Sequence, residues 1–524
     1  MDIIFSTSKK GDLTCSIDDY PLHSRYNPVE EANKFVKSIN IDFVPTNVIV
    51  TGPCLPYLYH SLKEVFPSAK ISAIQYSRDF EKHSQYWDKV FFVDSNTSIL
   101  DFQEELFNFF GEEQLFSSLF LSWKPSEKPF AKEYEITWTS IKNALDKSKI
   151  LIGTRSYFNK TWLKNSLRFF KFAKNLYFSD EENKKTFSEK ISKPFFITAS
   201  GPSLNHQVDF IKEYRDSVFL LALSSSVAVL LSNDIIPDCI LTTDGGYYAK
   251  RHLRILETNP KYSEIPIMMP PEANLPAKIL DTNPIIPLNY MDSTDSKLMN
   301  FLKMDFLPAS RNGTVSGTAA ELGIFLSKKN VYFTGLDLAS SKGYSHTQPN
   351  QLENDNCLSD NKLRSKEQRI CPGSFSNESL EIYRNWFATR NENFYQRVFR
   401  ITSEKDNLKQ IPNLSDISRH DLIAREKLSQ MNFQKSSDEK KLAKNQNSQD
   451  KKINIQTCID FYKSELEKIL QNHKTTQEEW FKIASYTDYI QYVKAKECEK
   501  TYFFDILLSK TKNLFEEIFE YLSK

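Results

Sequence analysis

Short apolar runs that stop abruptly at Gly, Ser, Thr or Asp recur along this chain. Residues 44–52 (VPTNVIVTG) form one, and residues 55–66 (LPYLYHSLKEVF) follow with apolar positions at helical spacing. Residues 70–77, 89–95 and 118–123 repeat the pattern. Runs of this kind, separated by helix-length segments, predict strands of a mostly parallel sheet. From Tyr134 to Asn183 the spacing is mainly helical. The strand rhythm returns at 194–199, 218–223, 238–243, 265–269 and 331–335. A helix is expected over 379–399. Helical periodicity marks 453–524 through Ile455, Cys458, Ile459, Tyr462, Leu466, Ile469 and Leu470. Residues 434–452 lack aromatic residues and read as a solvated helix end or a linker. No internal repeat with a period of roughly 20–50 residues is evident. The pattern describes an α/β protein with Rossmann-like parallel sheets in an N-terminal domain (1–190) and a central domain (191–430), followed by a helical C-terminal region (431–524).

Composition narrows the function class. The 524 residues are 40% hydrophobic and 26% charged with a formal net charge of +1. No global field draws such a chain to nucleic acid or an anionic membrane. The N-terminus has no long apolar core of the signal-peptide kind. The longest apolar stretch, Val218 to Leu231, is broken by Ser224, Ser225 and Ser226, short of the about 20 residues a spanning helix needs. The seven cysteines are scattered and show no CxxC pair. A soluble cytoplasmic protein without a structural metal is expected.

The candidate chemistry sits where the apolar runs end. The chain has only 13 glycines, and eight lie between residues 201 and 343. In so glycine-poor a sequence they mark tight turns or close approach to a ligand. The stretch Ala199-Ser200-Gly201-Pro202-Ser203 ends the run 194–199, with Gly201 expected in a special backbone conformation and Ser203 as a helix cap. The next run ends at Ser224 and Ser225, the third at Thr243-Asp244-Gly245-Gly246, and the run 331–335 at Gly335-Leu336-Asp337. Arg311, Thr314, Ser316 and Gly317 precede a helical pattern. A parallel sheet brings strand ends to one edge, where open α/β sheets bind ligands. Hydroxyls, glycines, two aspartates and an arginine along such an edge suit a phosphate and a ribose. No GxxxxGK[ST] motif is present. His346 is either a general base or an exposed loop histidine. Asp244 and Asp337 could orient a ribose, bind a divalent ion, steer a base, or simply cap strand ends.

Taken together, ITASGPSL, ALSSSVAVLLSNDIIPDCILTTD and NGTVSGTAAELGIFLSKKNVYFTGLDLASSKGYSH resemble the motility accessory factor (Maf) glycosyltransferases. Residues 22–36 (LHSRYNPVEEANKFV) resemble a stretch upstream in that family, so the similarity covers most of residues 1–400. The resemblance implies transfer of a nonulosonic acid, pseudaminic or legionaminic in type, from a CMP-activated donor to Ser or Thr of flagellin in the cytoplasm. It implies a sialyltransferase-like central domain with a histidine base and no metal. By motif, Gly201, Pro202 and Ser203 would hold the nucleotide; Thr314, Ser316 and Gly317 would face the phosphate; Asp337 and His346 would lie near the reaction centre. The N-terminal loop VTGPCLPYL has one glycine where that family often has several. Two other readings stand beside it, the first with the same GPSL core. One is a 6-hydroxymethylpterin pyrophosphokinase-like enzyme using ATP and Mg²⁺, with Asp244 and Asp337 as metal ligands. The other is a non-enzymatic flagellin-binding accessory protein.

Overall fold

The computed structural model describes residues 2–177, 190–338, 343–370, 378–403, 406, 408–428 and 453–524. The chain forms two compact units: Met1–Asn159 with Lys468–Glu516, and Lys160–Glu467 with Glu517–Lys524. The residues of the helical C-terminal region are thus divided between the two.

The first unit opens with an antiparallel sheet of β1 (Ile3–Thr7), β2 (Leu13–Ile17) and β3 (Tyr20–Pro21). A parallel sheet follows, built from β4 (Asn47–Thr51), β5 (Lys70–Gln75), β6 (Lys89–Phe92) and β7 (Ser118–Ser122) in the order β6-β5-β4-β7. Every residue of β4 is buried. That is the mark of a central strand covered on both faces, and it explains the unbroken apolar run in the sequence. The helix Pro28–Lys37 starts at Asn27, whose side chain accepts the Glu30 N–H, with Pro28 in its first turn.

The second unit holds one nine-stranded sheet in which every pairing is parallel. Its strands are β8 (Phe195–Thr198), β9 (Phe219–Leu223), β10 (Cys239–Leu241), β11 (Ile267–Met269), β12 (Ile285–Tyr290), β13 (Leu307–Ala309), β14 (Val331–Thr334), β15 (Val398–Thr402) and β16 (Ser415–Ser418). Their order is β13-β12-β11-β10-β9-β8-β14-β15-β16. The chain adds strands to one side of β8 as far as β13, then crosses back and adds β14 to β16 on the other side. The helix Val315–Leu326 makes that crossing and packs on β8, β9 and β14. Gly323 permits the close packing: a Cβ there would come 3.0 Å from Val331 and 3.2 Å from Phe195.

The strands expected from the pattern are present, with ends trimmed by a few residues. The helix expected over 379–399 is instead two helices, Glu378–Ala388 and Glu392–Arg397, and the chain turns into β15 at Val398. Asn391 causes the break, because its side chain accepts the Phe394 N–H and starts a new helix. The tail forms helices Ile455–Leu470, Lys474–Lys494 and Glu497–Ser523. The segment 434–452 lies outside the described residues. Among the described residues no helix is long and apolar enough to cross a membrane.

β15 carries a charge that the core must accommodate. The Arg400 side chain is fully buried, and its guanidinium donates to both Asp416 carboxylate oxygens at 2.7 and 2.8 Å. It also donates to the carbonyls of Leu336 and Lys409. Arg400 thereby ties β16 to the turn that follows β14. Removing one member of a buried pair leaves an uncompensated charge and costs roughly 3–5 kcal/mol. Asp416 is partly exposed, so Asp416→Ala is expected at the lower end, about 3 kcal/mol. Urea unfolding followed by circular dichroism should show that loss; a change under about 0.5 kcal/mol, the ordinary surface range, would mean the pair is not holding the turn.

Candidate functional site

In an open α/β sheet the crevice lies outside the carboxyl ends of the strands, where strand order reverses. Here that point is between β8 and β14, neighbours in space that are separated by five strands in sequence. The loop after β8 is Ala199-Ser200-Gly201-Pro202-Ser203, and the loop after β14 is Gly335-Leu336-Asp337. The two loops are locked together. Ala199 N–H donates to the Thr334 carbonyl and Gly201 N–H to the Gly335 carbonyl, both at 2.8 Å. Ser203 donates its N–H to Asp337 Oδ2 at 3.0 Å and its hydroxyl to Oδ1.

Two expectations about this loop are corrected. Gly201 was expected in a backbone conformation closed to other residues, but its φ is −62°. Glycine is required for space: a Cβ would lie 2.5 Å from Asp337 Cγ and 2.6 Å from the Gly335 oxygen. The positive φ, +68°, belongs to Gly335. Ser203 was expected to cap the following helix, but it lies inside the 3₁₀ turn Pro202–His206 and spends its hydroxyl on Asp337.

The remaining strand-end residues fall into two groups. At the switch point, Ser225 donates to the Ser200 hydroxyl at 2.8 Å, and Ser224 is buried beside it. Thr347 N–H donates to the Ser200 carbonyl at 2.8 Å, and its hydroxyl donates to the Gly201 carbonyl. Those bonds hold Thr347, the residue after His346, against the GPSL loop. Asn350 donates to the Ser225 carbonyl at 3.2 Å and accepts from the N–H groups of Leu352 and Glu353. The helix Val315–Leu326 leaves the carboxyl end of β13, so its N-terminus, with Thr314, Ser316 and Gly317, lies on this edge. Gly317 is close-packed; a Cβ there would meet Asn312 at 2.9 Å and Trp386 at 3.1 Å. Residues 339–342, between Asp337 and His346, lie outside the described residues.

Arg311 belongs to the second group. Its guanidinium forms a two-pronged pair with Glu272 and donates to Asp292 at 3.0 and 3.2 Å. It stacks between Trp162 and Tyr290, 4.9 and 4.7 Å from the ring centres. Burial opposes its charge, but the Glu272 and Asp292 carboxylates outweigh that and raise its pKa. The cluster supports the loop that carries Asp244. Asn165 donates to the carbonyls of Gly245 and Glu272, and Asn274 donates to those of Asp244 and Gly246. Gly245 rests on Trp162, with room for no Cβ. Asp244 itself is exposed and accepts the Gly246 N–H at 2.7 Å.

Several of these groups have shifted acidities. Burial raises the Asp337 carboxyl above the usual carboxylate range, although the two Ser203 hydrogen bonds work against it. Burial lowers the His346 imidazole, with Glu353 opposing. His252, the last residue of the short helix Ala249–His252 after the Asp244 loop, faces His346 edge-on with ring centres 6.1 Å apart. Burial, with His346 adding to it and Asp244 opposing, lowers His252 to about 4. The sequence reading missed His252, Thr347 and Asn350. A histidine eight residues beyond Asp244 was the available signal for the first. The other two serve through backbone-directed hydrogen bonds that leave no residue pattern. Asp244 and Asp337 have separate partners, and among the described residues no three or more His, Cys, Asp or Glu side chains gather as a metal-holding group.

Gly201→Ala should destabilise the second unit by about 1–3 kcal/mol, the usual cost of forcing extra atoms into a packed site. A variant with wild-type thermal stability would show that the loop has room. The neutral His252 gives a pH signature. Between pH 6.5 and about 4 the unfolded chain binds a proton that the folded chain does not, so this histidine makes stability fall on acidification through that window. Asp295, raised to about 7 by burial, contributes the opposite slope over much of that range. The difference between wild type and His252→Asn isolates the histidine. The variant should lose less stability between pH 6.5 and 4, by up to about 3 kcal/mol. Parallel stability curves for the two proteins would contradict a buried neutral imidazole.

Comparison with known proteins adds three findings. Residues 170–343 match the family model described as 6-hydroxymethylpterin diphosphokinase MptE-like. Two uncharacterized proteins of Treponema pallidum (strain Nichols) are similar in sequence. One is 28% identical over 319 residues, which are 60% of this chain and 67% of that protein. The other is 26% identical over 165 residues, which are 30% of this chain and 27% of that protein. Among solved structures, the Maf glycosyltransferase from Magnetospirillum magneticum AMB-1 superposes with a TM-score of 0.60 at 11% identity, covering 99% of this chain and 92% of that one. The chain therefore has the fold of a Maf glycosyltransferase, and the switch point of its large sheet lies within an MptE-like segment.

Proposed function

We propose that the chain is a glycosyltransferase that moves a nonulosonic acid, of the pseudaminic or legionaminic type, from a CMP-activated donor to a Ser or Thr hydroxyl of flagellin. The observation that carries this reading is the switch point, where the GPSL loop, the Ser224-Ser225 turn and the His346-Thr347 segment meet on a Maf-like fold. In the reaction the bond between the anomeric carbon and the CMP phosphate oxygen breaks. The acceptor oxygen forms the new bond, and its proton passes to a base. CMP leaves with the electron pair. Charge grows on the leaving phosphate as the anomeric carbon becomes oxocarbenium-like. The N-terminus of the helix Val315–Leu326, with Thr314 and Ser316, suits that charge. An imidazole kept neutral by burial suits the role of base, and this supports His346. In this reading Asp337 is a positioning residue that holds the GPSL loop through Ser203. Asp244 is the exposed carboxylate that faces substrate. Arg311, held by two carboxylates, supports the Asp244 loop rather than the phosphate.

The match to an MptE-like family model favours a second reading, transfer of pyrophosphate from ATP with Mg²⁺. The two readings separate in a thermal-shift experiment. A ligand in hundredfold excess over its Kd adds about 2.7 kcal/mol to the state that binds it. CMP should raise the melting temperature without added metal. A rise with ATP and Mg²⁺ but none with CMP would establish the second reading instead.

His346→Ala should leave CMP affinity within about twofold and lower transfer by roughly 10²–10⁴-fold. Flagellin mass in a complementation strain and calorimetric titration of CMP measure the two quantities. Full glycan mass in the variant strain would remove His346 from catalysis.

A further inference from the structure

The first strand of each parallel sheet leads into the same loop pattern: Thr51-Gly52-Pro53-Cys54-Leu55 after β4 and Ser200-Gly201-Pro202-Ser203-Leu204 after β8. The correspondence extends without a gap. At the constant offset that takes Gly52 to Gly201, residues 47–77 run alongside residues 196–226. Eight of those 31 pairs are identical, among them Lys63-Glu64 with Lys212-Glu213, Ala73 with Ala222 and Ser77 with Ser226. The elements coincide: β4 with β8, the helix Tyr57–Val65 with Val208–Glu213, and β5 with β9. The sheets agree as well. β4 lies between its successor β5 and the later strand β7, as β8 lies between β9 and β14. Both are switch points. The short-period pattern along the sequence does not reveal this relation, because the copies are far apart and their strands conserve only apolar character.

The copies differ in what stands over the loop. In the second, Ser224 and Ser225 are small, and Gly201, Pro202 and Ser225 remain partly exposed. In the first, the matching positions are Gln75 and Tyr76, and Gly52, Pro53 and Tyr76 are buried. The Gln75 amide accepts the Cys54 N–H at 3.1 Å and donates to the Cys54 carbonyl at 2.9 Å. The Tyr76 ring lies against Gly52, only 2.5 Å from where a Cβ would stand. His23, fully buried, accepts the Leu55 N–H at 3.1 Å and stacks on Trp123, the residue that follows β7. The Cys54 and Leu55 N–H groups are satisfied by the chain, as the Gly201 and Ser203 N–H groups are in the second copy; the copies differ in burial, with Gly52 and Pro53 covered and Gly201 and Pro202 partly exposed.

We infer that residues 47–77 and 196–226 are two copies of one β-α-β ligand-binding unit, and that the first copy is closed by its own side chains, so that only the second binds nucleotide. The closure stands on geometry; the word nucleotide rests on the function proposed above. The test therefore has two arms. Iodoacetamide labelling of the native chain, read residue by residue by mass spectrometry, probes closure without any ligand. Cys54 should label at least about a hundredfold more slowly than the exposed Cys498. The variant Gln75→Ser/Tyr76→Ser, which restores the small residues of the second copy, should label Cys54 faster than the native chain. Native labelling of Cys54 at the Cys498 rate would overturn the closure, whatever the variant does. Calorimetric titration with CMP should give one site per chain, abolished by Gly201→Val. Two sites, or full binding in Gly201→Val, would overturn the assignment to the second copy. If CMP gives no heat and no thermal shift while Cys54 stays protected, the donor assignment fails and the closed copy stands.

Discussion

The meeting of the Gly201 backbone with the Gly335–Asp337 turn is the constraint on which the candidate site depends. Parallel strands β8 and β14 are separated by five strands in sequence, and their adjacency makes the switch point at the sheet edge. A Cβ at position 201 would collide with the turn, so the approach is possible only with glycine. The Asp337 carboxylate then takes two hydrogen bonds from Ser203 in a buried setting. Hydrogen bonds to a charged partner contribute about 1.5–3 kcal/mol, and leaving such a partner buried without them costs more. The loop is fixed in advance of any ligand.

That fixing has a functional consequence. A loop that must order itself on binding a ligand loses part of its interaction energy to entropy. Here the GPSL loop is held from below by Asp337, and Arg400 in turn holds the Leu336 carbonyl of the same turn. The loop that bears Asp244 is held separately by Asn165, Asn274 and Trp162. Arg311 shows the same division of labour. Its charge is taken up by Glu272 and Asp292, so its contribution is to the shape of the edge rather than to its potential.

The paired units show one scaffold with its turn partly exposed in one copy and covered in the other. The backbone plan is common: a buried strand, a Gly-Pro turn, a short helix and a second strand. Side-chain size over the turn decides the outcome. Serines leave the turn partly exposed, whereas a glutamine and a tyrosine cover it. Buried amides and carbonyls must find partners, so a crevice without a ligand is stable only if solvent or the protein supplies them. The first copy supplies them from Gln75 and His23, and the second from the Gly335 carbonyl and Asp337.

By itself the sequence determined the fold class and most of the strands, because apolar runs ending at small polar residues encode a parallel sheet through local spacing alone. It also located the loops that meet at the switch point, since glycines are few and cluster there. It did not determine the antiparallel strands β1, β2 and β3, nor the parallel strands β12, β13, β15 and β16. Pro287 and Pro308 interrupt β12 and β13, Arg400 breaks β15, and β16 lies at a polar edge. Nor did it distinguish the roles of the charged residues. Arg311 among carboxylates, Asp337 beneath Ser203 and His252 against His346 are decided by partners remote in the chain. Those partners meet only when the sheet is assembled, and a side chain's charge state and availability depend on them rather than on its neighbours in sequence.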